Sequence, residues 1–317
     1  MEKPNLAAKF CSPVEPYYYD VRYDRNGFRN AAEIYRADIA VLGDSYIEGI
    51  QTSGDDTLAI SSVLQRYMNA SVVNLGRSGY GPQQELAVLK RYAVPVSPKV
   101  IVWAFYEGND LVDLLEYEET IAQLKLDGPD GSALDRSFLR NSLTALWEVW
   151  FKCKPDSNAS LIAGDYDERS GDTVQLLFGD LRPLTKRDLT ALNKLGDIFA
   201  EAHRVSTQHG AELVVAFLPG KIRVYKDVIR TPENSKLPAE IDDLPQRMQN
   251  LVADISPHIG FVDLTPAFIE AVNRSKPLFL ENDTHWTELG HQVAARTIHE
   301  HLQRELSSGA EVSPGAR

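Results

Sequence analysis

Four short stretches of the chain carry side chains suited to acyl transfer: Gly43-Asp44-Ser45, Gly76-Arg77-Ser78-Gly79, Glu107-Gly108-Asn109-Asp110 and Asp283-Thr284-His285. A serine hydroxyl becomes a good nucleophile when an adjacent base takes its proton, and histidine is the side chain whose ordinary pKa suits that task. A carboxylate on the far ring nitrogen then fixes the tautomer and stabilises the imidazolium that forms. Asp283 and His285 stand two apart, so an extended segment would turn both to one side. Acyl transfer also needs N–H donors aimed at the oxyanion that develops in the tetrahedral state. Asn109 can offer its side-chain amide, and glycines such as Gly79 allow a backbone N–H to approach a ligand closely. Each stretch taken alone has a plainer reading: an ordinary turn at Ser45, a Gly-rich loop at 76–81, a helix cap at Asn109.

The elements that must position these residues are legible as five apolar runs: Ile39–Leu42, Val72–Leu75, Val100–Trp103, Leu213–Phe217 and Gly260–Asp263. Near-continuous apolar strands, without polar alternation, indicate a sheet covered on both faces, which is usually parallel. Helical patterns lie between them, over Leu58–Tyr67, Gln83–Tyr92 and Leu189–His209, and Gly290–Leu302 closes the chain. This alternation predicts an α/β fold, a right-handed three-layer α/β/α sandwich around a five-stranded parallel sheet. Open parallel sheets bind ligands beyond the carboxyl ends of their strands, near the point where strand order reverses. Three of the four chemical stretches follow directly on a predicted strand, and the fourth comes after the last one.

The segment from Leu111 to Arg187 breaks the rhythm. It holds acids at Glu116, Glu118 and Glu119, a turn region from Asp127 to Gly131, and an aromatic helix candidate from Leu143 to Phe151. Leu146, Trp147, Trp150 and Phe151 suit a lid or a membrane-contacting face, and more simply a face packed on the main domain. We read 111–187 as an insertion between strands three and four of a single domain, 1–306, followed by a frayed tail at 307–317.

Ser, Gly, Asn and Asp-His at successive strand ends, in that order, resemble the SGNH/GDSL hydrolases, a family named for four such blocks. The resemblance spans roughly Asp38 to Leu302 and implies a flavodoxin-like sheet. Carried over by position, Ser45 matches the nucleophile and His285 the base, while Gly79, Asn109 and the Ser45 N–H match the oxyanion-hole donors. Two positions depart from the pattern. Glu107 stands where the third block usually begins with Gly, and Asn282 stands where the last block often has its acid, so the acid falls at Asp283. The Asp-Thr-His-Trp signature, with Pro219-Gly220-Lys221-Ile222-Arg223-Val224-Tyr225, is similar to the branch containing alginate-type O-acetyltransferases.

An extended continuation beyond Pro219 would turn Lys221, Arg223 and Tyr225 the same way, toward the face of Ser45. Two cations and a phenol suit a hydroxyl-rich or anionic saccharide better than a fatty chain, which wants a dry apolar slot. The alternative is that Lys221 and Arg223 merely pair with surface acids of this acidic protein. The expected activity is therefore a serine-dependent ester hydrolase, a carbohydrate O-acetylesterase, needing no metal or organic cofactor. An O-acetyltransferase using the same residues is the first rival. A lipase or thioesterase and a non-catalytic carbohydrate-binding protein follow.

Bulk composition narrows the partners. The chain has 317 residues, 43% of them hydrophobic and 9% aromatic, enough for a real core. A formal net charge of -12 lacks the basic footprint of a nucleic-acid binder and disfavours anionic membrane surfaces. Two cysteines, Cys11 and Cys153, with no C-x-x-C, exclude a zinc ribbon or a disulfide scaffold and leave one disulfide or two thiols open. The beginning lacks an apolar leader, and no apolar run is long enough to span a bilayer. As written the expectation is a cytoplasmic protein, or an extracytoplasmic one whose export segment is not in this sequence. Oligomeric state leaves no mark in the sequence.

Overall fold

In the computed structural model, residues 6–11, 18–49, 52, 57–127, 162–179, 184–232, 241–272 and 276–311 are described. The aromatic stretch 143–151 and Cys153 fall outside them, and of Cys11 only the backbone falls within. The chain opens with an antiparallel pair, β1 (Leu6–Cys11) and β2 (Tyr18–Tyr23). The main sheet follows: β3 (Ile39–Gly43), β4 (Val72–Gly76), β5 (Val100–Tyr106), β8 (Glu212–Leu218) and β10 (Gly260–Asp263). All neighbours in it are parallel, in the order β10-β8-β5-β3-β4.

Apolar side chains on both faces explain why these runs are continuous. Ile39, Val41, Val102, Ala104, Val214 and Ala216 share one core with α2 (Ile60–Met68), α8 (Thr265–Val272) and α9 (Glu288–Glu311). Their strand neighbours Ala40, Leu42, Ile101, Trp103, Val215 and Phe217 join the other. That second core includes residues of α3 (Pro82–Val88), α4 (Asp110–Asp127), α5 (Lys186–Gln208) and α7 (Leu244–Ile255). Alternate side chains go to opposite layers, as the pleat requires. The result is the expected three-layer α/β/α sandwich.

Numbered by chain order within the sheet, the five strands run second, first, third, fourth, fifth. Order reverses between β3 and β5, so the chain leaves these adjacent strands toward opposite layers and opens a crevice at their carboxyl ends. Two departures lie in the segment read as an insertion. It opens with α4, whose Leu111, Leu114 and Leu115 are part of the second core. It also contains an antiparallel hairpin, β6 (Ile162–Asp167) and β7 (Thr173–Phe178), extended by β9 (Ile229–Arg230) against β6. The last helix, α9, runs to Glu311, past Ser307 where the sequence suggests a tail. Among the described residues, no helix is long and apolar enough to cross a membrane.

Candidate active site

β3 passes straight into a short helix, α1 (Ser45–Glu48). Gly43 makes this junction possible: its φ is +154°, and a Cβ there would stand 2.5 Å from Ile47 Cγ1 and 3.1 Å from Ala104 Cβ. The buried Asp44 carboxylate accepts the Tyr46 N–H at 3.0 Å and caps α1. Ser45, the first residue of α1, thereby sits beyond the carboxyl end of β3, on one side of the crevice.

On the other chain segment, His285 Nε2 lies 2.7 Å from Ser45 Oγ, and His285 Nδ1 lies 2.5 Å from Asp283 Oδ1. With Asp283 accepting from Nδ1–H, Nε2 is left to accept the serine proton. The residues meet through a turn, not through the extended segment the two-residue spacing suggests. Asp283 Oδ1 also accepts the His285 backbone N–H at 2.8 Å, so a single oxygen fixes both backbone and ring, as Asx turns do. Burial pushes the Asp283 carboxyl up, but hydrogen bonds from His285 and the ring's charge outweigh it and hold the group below the usual carboxylate range.

The loop bearing this pair is held at its base and its tip. Leu280 N–H donates to His285 O at 2.9 Å and Thr287 N–H to Leu278 O at 2.9 Å, around a bridge between Phe279 and Trp286. The Tyr46 hydroxyl donates to Thr284 O, while its ring lies 5.0 Å from the His285 ring and 4.8 Å from Trp286. The residue after the serine thus also supports the histidine. Its sequence signal is an aromatic directly after Gly-Asp-Ser.

The oxyanion-hole expectations meet the structure unevenly. Asn109 follows β5 and lines the cavity at Ser45, with its amide donating to Asp113 Oδ2 at 2.8 Å and lying 3.5 Å from Asp44 Oδ2. Asp113 is half-buried, and burial together with the Asp44 charge raises its carboxyl to about 6. Gly79 is exposed on the loop after β4 with φ +75° and is not among the residues lining that cavity.

Lys221, Arg223 and Tyr225 do not form the extended, substrate-facing row expected of them. They occupy a helix, α6 (Lys221–Tyr225), entered from Gly220, and all three are buried. Arg223 Nε donates to Glu107 Oε2 at 2.7 Å, and its Nη groups donate to the Asp242 side chain and backbone, each at 3.0 Å. Tyr225 accepts the Leu278 N–H at 2.8 Å within the core. Lys221 lines the cavity, but its ammonium is taken up by backbone carbonyls. The helical turn folds Ile222, Val224 and Tyr225 into the core, and Lys221 and Arg223 are buried with them on hydrogen-bond partners. Glu107, where the family pattern has Gly, accepts Gly220 N–H and the Arg223 guanidinium, joining the ends of β5 and β8. Burial pushes its carboxyl up, and the Arg223 charge counters this.

The cavity itself measures about 340 Å³. Its walls include Ser45, His285, Tyr106, Asn109, Leu111, Leu184, Asp188 and Ile222. Among the described residues no three metal-ligating side chains come together. An acyl carbon placed over Ser45 would have a proton acceptor and a charge-stabilising carboxylate within one crevice, with the Asn109 amide in the same wall turned to Asp113 and Asp44.

Residues 177–315 match a family model described as an SGNH hydrolase-like domain of the acetyltransferase AlgX. Over 99 residues the chain is 33% identical to a probable alginate O-acetylase AlgJ of Pseudomonas putida, covering 31% of this chain and 24% of that protein. It is 35% identical over 91 residues to a protein of the same description in Pseudomonas syringae pv. tomato, covering 29% and 22%. The chain thus spans less than a quarter of the length of these curated relatives. Among solved structures, it is similar to an acetylxylan esterase catalytic mutant from Geobacillus stearothermophilus. That likeness has a TM-score of 0.44 at 14% identity and covers 83% of this chain and 93% of the other.

Proposed function

We propose that this chain, whose residues 177–315 match a model of the SGNH hydrolase-like domain of an acetyltransferase, is a serine-dependent enzyme transferring acetyl groups to a saccharide hydroxyl. The observation that carries this reading is the continuous relay from Ser45 Oγ through the His285 ring to Asp283, at 2.7 and 2.5 Å. Ser45 attacks the ester carbonyl as His285 takes its proton, and Asp283 stabilises the imidazolium. Collapse of the tetrahedral state expels the donor alcohol, which takes the proton back from His285, and leaves acetyl-Ser45. An acceptor hydroxyl, deprotonated by His285, then releases the acetyl group. The Ser45 N–H, and the Asn109 amide once it turns from Asp113 and Asp44, stabilise the oxyanion in both steps.

Transfer to a sugar, with hydrolysis as the side reaction, follows from the kinship with O-acetylating proteins. A cavity of about 340 Å³ with Asp44, Glu107, Asn109, Asp188 and Thr284 in its walls suits a short acyl group on a polar alcohol. The saccharide is neutral in this reading. Of the cations expected to bind it, Lys221 is taken up by carbonyls and Arg223 by Glu107 and Asp242. The test supplies p-nitrophenyl acetate as donor, with neutral xylo-oligosaccharides or oligo-uronates as acceptors, and follows acetylated sugar by mass spectrometry. Acetyl appearing on the neutral sugar, and not with Ser45→Ala, supports the proposal. Release of acetate to water alone makes the enzyme an esterase. Turnover surviving in Ser45→Ala ends the reading altogether.

A further inference from the structure

The most unusual group near the crevice is a buried ammonium with no carboxylate among its hydrogen-bond acceptors. Lys221 Nζ donates to Leu177 O at 2.8 Å, Leu280 O at 2.6 Å, Glu281 O at 2.9 Å and Asp283 O at 3.2 Å. The Phe178 ring lies 5.3 Å from the same nitrogen. Three of the four carbonyls belong to the loop that presents Asp283 and His285, and the fourth is the penultimate residue of β7. The Leu177 N–H in turn donates to Glu281 O at 2.7 Å.

We propose that Lys221 is a positioning residue that ties α6, β7 and the 280–283 loop into one rigid support for the Asp283–His285 pair. The inference rests on reading His285 as the base for Ser45. An ammonium has three N–H groups to share among the Leu177 carbonyl of β7 and three carbonyls that turn inward from the loop. Without that donor four inward carbonyl dipoles would lose the cation they converge on, and the loop would open to find water. Its tip carries Asp283, whose Oδ1 orients the imidazole, so a shift there moves Nε2 relative to Ser45 Oγ. Misplacement of about 1 Å can cost on the order of 10²-fold in rate.

The proton on Lys221 is therefore part of the support. The charged groups facing it are Asp283 and Glu281 of the loop. Glu107 and Asp242 in the cavity wall are engaged by Arg223. From β7 come the Leu177 carbonyl and the Phe178 ring. Burial pulls the Lys221 amine down from its ordinary value to about 7, although Asp283 and Glu281 act to raise it. A neutral amine has only two N–H groups for the four carbonyls, so the support loosens as pH rises.

Lys221→Met keeps most of the side chain's length and removes every donor. With p-nitrophenyl acetate we expect kcat to fall roughly 10- to 100-fold while KM changes less than about threefold, in a protein that still melts cooperatively. Wild-type kcat falls from about pH 7 upward, and in Lys221→Met that alkaline limb is absent. Unchanged kcat in the variant, a loss confined to KM, or a limb that persists without the lysine overturns the proposal. Should the variant not fold, the wild-type profile decides, since a rate that stays level through the alkaline range is equally contrary. Ser45→Ala, measured alongside, separates the premises: if it is inactive while Lys221→Met is fully active, the positioning role fails and the serine mechanism stands.

Discussion

Asp283 and Asn282 are adjacent, and only one of them can serve His285. Asp283 Oδ1 meets both the His285 ring and its backbone N–H, while Asn282 is exposed at the loop tip. Asp283→Asn should therefore lower kcat by about 10³-fold or more, since an amide cannot stabilise the imidazolium. Asn282→Ala should leave kcat within about twofold, and a reversed ranking in steady-state kinetics would reassign the acid. Arg223 belongs to the same scale but to stability. Its side chain is 9% exposed and that of Glu107 1%, so Arg223→Ala strands a buried carboxylate. Denaturant unfolding should register a loss of about 3–5 kcal/mol. Glu107→Gln added to Arg223→Ala should recover part of that loss. The residue types were readable in the sequence because serine, histidine and aspartate at strand ends have few other joint uses. The fate of Lys221 was not readable, and for Arg223 pairing with acids stood only as the alternative to binding sugar. Their partners, Leu280 O and Asp242 among them, are distant in sequence, and a cation that binds sugar looks the same in letters as one that binds carbonyls.

Elements locate the crevice through close backbone approach as much as through hydrophobic pattern. The end of β4 presses on α1: a Cβ at Gly76 would lie 2.3 Å from Glu48 N and 2.6 Å from the Ile47 carbonyl carbon. Those atoms are backbone, immediately after Ser45, and cannot yield as a flexible side chain would. Gly76→Ala should cost on the order of 3 kcal/mol or more and displace α1. Gly79→Ala meets nothing within 4 Å and must only adopt φ +75°, so about 1–2 kcal/mol is expected. Thermal melts of the two variants check the contrast, and equal losses would mean that α1 gives way to β4 easily. The five buried strands were legible because burial on both faces leaves them apolar throughout. β6 and β7 were not, because Ile162–Asp167 and Thr173–Phe178 bury only alternate residues in a small sheet, and polar letters interrupt the run. α6 was misread as extended because five residues hold too little periodicity to tell a helical turn from a strand's continuation.

At the scale of the whole molecule, the half that carries the clearest likeness to O-acetylating proteins cannot supply the chemistry alone. Residues 177–315 contain Asp283 and His285, together with β8 and β10, but Ser45 and Asn109 lie outside that range. The sheet order makes the dependence structural as well as catalytic. β8 pairs with β5 along Val100–Tyr106, so removing the earlier half strips one whole edge of β8. It also removes Trp103, which packs against Phe199 of α5 at 5.3 Å, and the Leu42 and Phe105 side chains of the same core. Two parallel strands with five helices would then expose an open edge and a broad apolar face, a combination that associates and does not fold alone. A chain of residues 177–317 should therefore show no cooperative melt and no ester turnover. Adding residues 1–176 in trans should restore both, to the extent that the pieces reassemble across the β5–β8 ladder. A sharp, concentration-independent melt of the later piece by itself would show that the Asp283–His285 half is an autonomous domain onto which the serine half was built. The relay from Ser45 to Asp283 would then span a domain interface instead of a single core.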